Sequence, residues 1–142
     1  DFVLDLAGFF EDIYKKQVEE LEKLGIAHFY GFQSDPRPFY TEADCVVLPS
    51  YHEGMSNVLL EAAATGRPVI TSNIPGCRES VENGKSGLLV EAKNKEMLYQ
   101  AMKKMLHCSR EEREKMGKAG REKMKREFRK EAVVERTVRS LE

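Results

Sequence analysis

Two carboxylates frame the stretch of this chain with the clearest chemical potential, Glu53-Gly54-Met55-Ser56-Asn57-Val58-Leu59-Leu60-Glu61. Glu53 follows an apolar, strand-like segment, and Glu61 lies about one turn into a helix that the pattern predicts from Asn57. The first amides of a helix have no intrahelical partner and attract anions, phosphates in particular. Two acids around such amides suit a phosphate group flanked by hydroxyl-rich groups. A nucleotide-sugar has this layout, with a hexose, a diphosphate and a ribose in series.

Each of these residues also has a simpler structural interpretation. Glu61 can stabilise the helix dipole as a first-turn acid, worth roughly 0.3–1 kcal/mol. Glu53 can be a solvated loop residue, and Ser56 or Asn57 can serve as the helix N-cap. Gly54 lets another group approach closely where a side chain would block it. From residue types alone, the structural and the chemical interpretations both stay open.

The elements that must position these residues alternate between strands and helices. Strands are predicted at Phe2–Ala7, His28–Tyr30, Cys45–Leu48, Pro68–Thr71 and Gly87–Val90. Helices are predicted at Glu11–Leu24, Pro36–Ala43, Asn57–Thr65 and, as a short segment, Arg78–Glu82. This alternation over short loops implies an α/β fold with a Rossmann-like, doubly wound parallel sheet. The Cys45–Leu48 strand is continuously apolar, which predicts a central place in that sheet.

Residues 93–142 predict a mainly helical tail. Its three helices are Lys95–Leu106, a highly charged helix from Ser109 toward Glu127, and Lys130–Leu141. Asn94 is expected to cap the first helix, and Ser109 with Glu112 forms a capping box for the second. Basic and acidic residues alternate along the second helix, which indicates a solvated face and not a lipid-binding patch.

Composition excludes several classes of protein. The 142 residues carry 23 basic and 24 acidic side chains, for a formal net charge of -1, so no basic excess favours a nucleic-acid partner. No apolar run approaches the roughly 20 residues that span a bilayer. The three cysteines are widely spaced, which argues against a disulfide framework or a zinc site. We expect a cytoplasmic protein; peripheral attachment of a longer parent at the inner face of the membrane, and a homodimer, stay open.

The chain resembles the retaining glycosyltransferases of the GT-B fold, family 4, also called glycosyl transferases group 1. The resemblance runs through nearly the whole chain and is specific in the order and spacing of its motifs. These are Phe29-Tyr30-Gly31-Phe32, Tyr40-Thr41-Glu42-Ala43-Asp44, Leu48-Pro49-Ser50, the two-glutamate segment, Gly66-Arg67-Pro68-Val69-Ile70, Pro75-Gly76-Cys77-Arg78-Glu79 and Gly84-Lys85-Ser86-Gly87-Leu88-Leu89-Val90.

The resemblance assigns roles to the acids and to the loop between them. It implies that Glu61 binds the ribose hydroxyls. Glu53 would be the catalytic residue, orienting the transferred hexose and stabilising its developing positive charge without acting as a nucleophile. Gly54 and the backbone of Met55, Ser56 and Asn57 would bind sugar oxygens or the diphosphate. No metal or other cofactor is expected, because no Asp-x-Asp cluster lies in this region.

Two further contacts are expected after the first and second strands. The resemblance places Gly8 at a glycine-rich turn facing the nucleotide, although this chain has a single glycine there. It also implies that the backbone near Phe32 pairs with the base, while Phe32 could instead be a core residue. The family's Arg and Lys that hold the donor diphosphate have no equivalent in this sequence.

The resemblance also predicts the domain organisation. Residues 1–142 would be part of the C-terminal, nucleotide-sugar-binding domain of a longer enzyme, lacking the first strand of a sheet ordered 3-2-1-4-5-6. The sheet would then pair the Phe2 and Cys45 strands directly or borrow a strand from another copy. The parent would transfer a sugar, from a UDP-linked donor, to a glycan or lipid-linked acceptor held by an N-terminal domain. Polysaccharide biosynthesis, capsular or exopolysaccharide, fits the Pro75–Glu79 segment.

Three alternatives differ in kind from this prediction. A nucleotide-sugar epimerase of related architecture would need acid and base residues that the sequence does not offer. A nucleotide-sugar-binding module would bind the donor without chemistry. A structural interaction domain would tolerate the joint loss of Glu53 and Glu61. Binding of UDP separates the first two alternatives from the third.

Overall fold

The structure, a computed structural model, describes residues 2–9 and 11–141. The strands are β1 (Leu4–Ala7), β2 (Ala27–Gly31), β3 (Val46–Leu48), β4 (Val69–Ser72) and β5 (Gly87–Val90). The helices are α1 (Lys15–Lys23), α2 (Arg37–Glu42), α3 (Asn57–Ala64), α4 (Lys95–His107), α5 (Arg110–Glu127) and α6 (Lys130–Leu141), with 3-10 turns at Asp12–Tyr14 and Arg78–Ser80. The chain divides into two compact units, a first unit of residues 1–39 and a second unit of residues 40–142.

The first unit contains a parallel pair, β1 and β2, with Leu4 opposite Ala27. Helix α1 connects the two strands and contacts β2, as a βαβ crossover does. Gly8 directly follows β1 and Gly31 ends β2, and the Gly8 N–H donates to the Gly31 carbonyl over 2.8 Å. This hydrogen bond fixes the carboxyl edge of the pair.

The second unit contains a parallel sheet in the order β3-β4-β5. All four residues of β4 are buried, whereas β3 is only partly buried. The expected central position of the Cys45–Leu48 strand is therefore wrong within the described sheet. Strand β4 lies in the middle because it has hydrogen-bonded neighbours on both sides, and β3 is an edge strand.

Helices cover both faces of this sheet, as a doubly wound fold requires. Successive side chains of a strand point to opposite faces, and Val69 and Ile70 of β4 enter two different core clusters. The Val69 cluster includes Leu59 and Ala62 of α3. The Ile70 cluster includes Ala101 and Met105 of α4. The predicted α/β fold class is confirmed.

The two sheets do not share a strand. Among the described strands, β1 pairs with β2, and β3 pairs with β4. With the first strand of the 3-2-1-4-5-6 order lacking, β1 and β2 correspond to strands 2 and 3, and β3 and β4 to strands 4 and 5, so both observed pairs are neighbours in the expected order. The direct pairing of β1 with β3, one of the two predicted alternatives, is wrong, because the two strands belong to separate sheets. The borrowing of a strand from another copy stays a prediction.

The C-terminal helices begin at the predicted caps. The Met97 N–H donates to the Asn94 side chain over 3.0 Å. At α5, the Glu112 N–H donates to Ser109 Oγ and the Ser109 N–H donates to Glu112, which completes the capping box. Within residues 2–9 and 11–141, no helix is both long and apolar enough to cross a membrane.

Helix α5 packs against α3 through small residues despite its high charge. A Cβ on Gly117 would lie 1.8 Å from the Gly66 carbonyl oxygen, so only glycine permits this approach. Gly120 faces Ala63 across the same interface, at an ordinary van der Waals distance. The charged residues of α5 form ion pairs around this contact, including Arg110 with Glu114. Helix α5 thereby packs against α3 and supports it.

Candidate functional site

Glu53 lies in the loop between β3 and α3 and is held by a neighbour in that loop. The Ser50 hydroxyl donates to Glu53 Oε1 over 2.8 Å, and the Glu53 side chain is partly buried. The loop begins where β3 ends, at the carboxyl edge of the parallel sheet. Ligands of open α/β sheets bind at this edge. Glu53 therefore lies at the edge of the sheet where ligands of such folds bind.

Gly76 fixes the backbone that follows Glu53. Its carbonyl accepts the Ser56 N–H over 3.1 Å, and its N–H donates to Glu79 Oε2 over 2.8 Å. Gly76 has a φ of 85°. A Cβ at this position would lie 1.5 Å from the Gly54 carbonyl oxygen, so the contact requires glycine. A Cβ on Gly54 would meet no protein atom within 4 Å, so there is room for a ligand on that side of Gly54.

Helix α3 begins without a side-chain cap. Ser56 is the N-cap residue and is buried, but its hydroxyl accepts no hydrogen bond from the helix. Ser56 therefore occupies the predicted N-cap position without capping through its side chain, and its backbone N–H donates to the Gly76 carbonyl instead. Within the described residues, the amides of Asn57 and Val58 have no hydrogen-bond partner. These donors remain available to an anion.

Glu61 lies in the second turn of α3 and is bound by a tyrosine. The Tyr40 hydroxyl donates to Glu61 Oε2 over 3.1 Å. The first turn of α3 contains no acid, so the interpretation of Glu61 as a first-turn dipole residue is wrong. Burial, reinforced by the hydrogen bond and the negative charge of Glu61, raises the pKa of Tyr40 to about 12. Tyr40 thus stays protonated and remains a donor throughout the physiological range.

A buried cysteine, Cys77, lies in the core cluster that supports Glu61. Tyr40, which binds Glu61, packs in the cluster that also contains Cys77. Burial raises the pKa of the Cys77 thiol, and the negative charges of Glu53 and Glu79 act in the same direction. A thiol with a raised pKa is a poor nucleophile. Cys77 is therefore a packing residue.

Each acid has a separate partner. Among the described contacts, Glu53 and Glu61 do not touch each other, and in each of them one carboxylate oxygen receives no hydrogen bond from the protein. A surface cavity of the second unit lies elsewhere, on α4 and the start of α5, and none of the predicted site residues lines it. Its lining residues are Gln100, Lys103, Lys104, His107, Cys108 and Glu112. The candidate site is an open edge of the second unit.

Gly8 and Phe32 belong to the first unit. Phe32 is 64% exposed, so the alternative that it is a core residue is wrong. Its ring stacks on Phe9, with ring centroids 5.3 Å apart. Gly8 has a φ of 127° and follows β1. The structure brings these residues together at one edge of the first sheet.

Sequence reasoning missed the residues that hold the site. Tyr40 and Ser50 orient the two acids, while Gly76 and Glu79 fix the loop between them. All four lie in motifs that carried the family resemblance. The usable signal was the Pro75–Glu79 motif, in which a glycine follows a proline and precedes an acid by three positions.

Known proteins resemble this chain in both sequence family and fold. The family model described as "Glycosyl transferases group 1" matches residues 1–123. The lipopolysaccharide core biosynthesis glycosyltransferase LpsE of Rhizobium meliloti (strain 1021) is 30% identical over 124 residues, which cover 87% of this chain and 36% of LpsE. The capsular polysaccharide biosynthesis glycosyltransferase CapM of Staphylococcus aureus is 33% identical over 102 residues, covering 72% of this chain and 27% of CapM.

A solved structure has the same fold. Sucrose-phosphate synthase from Thermosynechococcus elongatus superposes with a TM-score of 0.81 at 28% identity, over 97% of this chain and 38% of that protein. The chain matches 36% and 27% of the length of LpsE and CapM, so it corresponds to one part of such proteins.

Proposed function

Because the chain belongs to the glycosyl transferases group 1 family, we propose that it is the donor-binding part of a retaining glycosyltransferase. The parent enzyme moves a sugar from a nucleotide-diphosphate sugar, UDP-linked, to a glycan or lipid-linked acceptor held by an N-terminal domain. Similarity to LpsE and CapM, named for lipopolysaccharide core and capsular polysaccharide biosynthesis, supports a role in building bacterial polysaccharide.

The observation that carries this proposal is the set of groups around the N-terminus of helix α3. Its first amides lack partners, Glu53 precedes them in the loop, and Glu61 follows them one turn later. Amide donors favour the diphosphate, and carboxylates favour hydroxyl groups on either side of it. A phosphate-only ligand would be repelled by two acids. A ligand with hydroxyl groups around a diphosphate meets both requirements.

Glu61 is proposed to bind the ribose. A carboxylate accepts two O–H donors from a vicinal diol in fixed geometry, and charge strengthens these bonds. Tyr40 donates to Oε2 from the protein side, and Oε1 together with the second acceptor site of Oε2 is left for the two ribose hydroxyls. Tyr40 is accordingly proposed to orient Glu61 without touching the substrate.

Glu53 is proposed as the catalytic residue. It orients the hexose and stabilises the positive charge that develops at the anomeric centre as the bond to the diphosphate breaks. The acceptor hydroxyl attacks the same face from which the diphosphate leaves, so the configuration is retained without an enzyme nucleophile. Ser50 supports Glu53 by its hydrogen bond to Oε1.

The remaining assignments complete the proposal. Gly54 and the backbone of Met55–Asn57 bind sugar oxygens or the diphosphate, and no metal is needed because the amides carry that charge. In the first unit, Gly8 and the backbone at Phe32 contact the nucleotide.

Residues 1–142 are proposed to be part of the C-terminal domain, with 93–142 as its helical tail. The parent is cytoplasmic, with attachment at the inner membrane face and homodimerisation as further proposals.

Sugar transfer by the parent enzyme tests this proposal. Wild type and Glu53→Gln are assayed with UDP-sugar donors, and the anomeric configuration of the product is read by NMR. We expect retention in the wild type, and we expect Glu53→Gln to turn over about 100-fold more slowly or worse, as loss of one transition-state contact does. Glu19→Gln, an exposed acid on α1, is the control and keeps full activity. An inverted product, or a Glu53→Gln enzyme as fast as the wild type, would contradict the proposal.

A further inference from the structure

The surface cavity at the end of α4 and the start of α5 has a volume of about 370 Å³. Four of its lining residues lie on α4, at spacings of three and four positions: Gln100, Lys103, Lys104 and His107. Residues at these spacings are neighbours on a helix surface, so the four side chains share one face. The volume falls within the range of small-molecule sites, about 300–1,000 Å³.

The two lysines of the cavity have no acidic partner. The ion pairs among residues 2–9 and 11–141 include basic residues of α5, such as Arg110 with Glu114, but neither Lys103 nor Lys104. Lys103 Nζ lies 6.0 Å from the centroid of the Tyr99 ring, a contact that does not neutralise its charge. Both lysine charges are therefore available to an anion from outside the chain.

His107 adds a third polar group on the same face of α4. Its Nδ1 lies 2.7 Å from the Lys103 carbonyl oxygen. A hydrogen on Nδ1 satisfies that carbonyl, which leaves Nε2 as the nitrogen that a ligand can reach. Nε2 accepts a hydrogen from a phosphate hydroxyl and, in the protonated ring, donates to a phosphate oxygen.

One acid lines the cavity and opposes the lysines. Glu112 belongs to the capping box of α5, and its Oε2 accepts the Ser109 N–H over 2.6 Å. This single carboxylate faces two ammonium groups. The lining therefore keeps a positive charge even when His107 is neutral.

We propose that this cavity is a binding site for a phosphate group, in which Lys103, Lys104 and His107 bind the phosphate oxygens. A planar carboxylate is matched best by a free guanidinium. The guanidinium beside this turn, that of Arg113, already donates to the Cys108 carbonyl and to Asp44. Separate ammonium and imidazole groups suit the several oxygens of a phosphate instead.

The ligand is a phosphate ester, because the cavity has room for more than the phosphate itself. Its source is either a soluble ester or the headgroup of a membrane phospholipid, and the two present the same chemistry to the lysines. The inference does not depend on donor binding at α3, since none of the residues assigned to the donor lines this cavity.

The test follows the histidine ring signals by NMR while inorganic phosphate or glycerol phosphate is added to the chain at constant pH. The chain has three histidines, and His107→Gln identifies the signal of His107. We expect this signal to shift and saturate, while that of His28, on β2, stays in place. Sodium chloride at the same ionic strength should not reproduce the shift.

Lys103→Gln/Lys104→Gln should weaken phosphate binding about 5- to 10-fold, because two charge-assisted contacts are lost at an exposed site. Lys15→Gln/Lys16→Gln is the matched control, since it removes two adjacent exposed lysines of α1 that do not line the cavity. It changes the net charge equally and should bind phosphate as the wild type does. The inference is overturned if neither phosphate shifts His107, if sodium chloride shifts it equally, or if Lys103→Gln/Lys104→Gln keeps the wild-type affinity.

Vesicles distinguish the two sources of the phosphate. Phosphatidylcholine vesicles containing phosphatidylglycerol are sedimented with the wild type and with both double variants. Binding that only Lys103→Gln/Lys104→Gln loses would assign the site to a phospholipid headgroup. Binding of glycerol phosphate without sedimentation would assign it to a soluble phosphate ester.

Discussion

The hydroxyl of Tyr40 donates a hydrogen bond to Glu61 Oε2 over 3.1 Å. Tyr40 is 5% exposed and packs in the core cluster on one face of the second sheet. Glu61, by contrast, is exposed on the second turn of α3. The Tyr40 hydroxyl therefore connects the buried core to the exposed Glu61 side chain. It fixes the orientation of the Glu61 carboxylate, which would otherwise rotate freely.

Tyr40→Phe should weaken UDP binding without unfolding the chain. The change removes one hydrogen bond to Glu61 but keeps the ring in the core, so we expect about a 2- to 10-fold loss of affinity, from roughly 0.5–1.5 kcal/mol. Calorimetry measures this directly. Tyr99→Phe is the matched control, because Tyr99 is an exposed residue of α4, and it should bind UDP as the wild type does. Equal affinity in Tyr40→Phe would show that the hydrogen bond does not organise the site.

Alkaline pH should selectively destabilise the chain through Tyr40. Its pKa is raised from 10.0 to about 12 by burial and by Glu61. The folded state thus holds this proton more tightly than the unfolded state. The resulting stability is present below pH 10 and is lost as the pH rises toward 12.

Tyrosinate absorbance and urea unfolding at two pH values measure this effect. The chain has five tyrosines, and one should titrate near pH 12. The fall in unfolding free energy between about pH 9 and pH 11 should be smaller in Tyr40→Phe than in wild type. The same fall in both proteins would rule out Tyr40 as the titrating group.

Gly76→Ala should disrupt the loop that carries Glu53. The new Cβ would lie 1.5 Å from the Gly54 carbonyl oxygen, at a positive φ that disfavours alanine. We expect at least about 2 kcal/mol of destabilisation, seen as a lower midpoint in urea unfolding. Gly54→Ala is the matched comparison, because its Cβ would meet no protein atom, and it should keep the unfolding free energy within about 0.5 kcal/mol. Equal stability of the two variants would contradict the packing described.

Two glycines of α5 should respond in opposite directions to alanine. Gly117→Ala places a Cβ 1.8 Å from the Gly66 carbonyl oxygen and should destabilise the α3–α5 contact by about 1–3 kcal/mol. Gly120→Ala places its Cβ 3.6 Å from the side chains of Ala63 and Ser86, an ordinary distance. In a helix this change should stabilise by roughly 0.5–1 kcal/mol. Thermal unfolding of the two variants measures both signs, and a shift in the same direction would be inconsistent with this interface.

Local signals in the sequence predicted the elements well. The capping box at Ser109 and the cap at Asn94 act within one turn, so they are visible to residue spacing alone. These features depend on neighbours a few positions apart, and the structure confirms them.

Features that depend on long-range packing were not predictable in the same way. Apolarity could not tell the edge strand β3 from the central β4, because helices contact the sheet at both positions. Because α5 is highly charged, its sequence did not indicate that Gly117 and Gly120 form a packing face. That face is defined only by the close approach of α3. Ser56 has the residue type of a cap, but Gly76, twenty positions away, binds its backbone instead. The Tyr40 contact to Glu61 spans a similar separation.

Calorimetry of UDP binding to wild type, Glu61→Gln and Glu19→Gln is the decisive test of whether Glu61 holds the donor. We predict weak but measurable binding by the wild type and by Glu19→Gln, which alters an exposed acid far along the chain from α3. Glu61→Gln should bind about tenfold more weakly or worse, because an amide accepts ribose hydroxyls less strongly than a carboxylate does. Wild-type affinity in Glu61→Gln would contradict the role of this acid in donor binding.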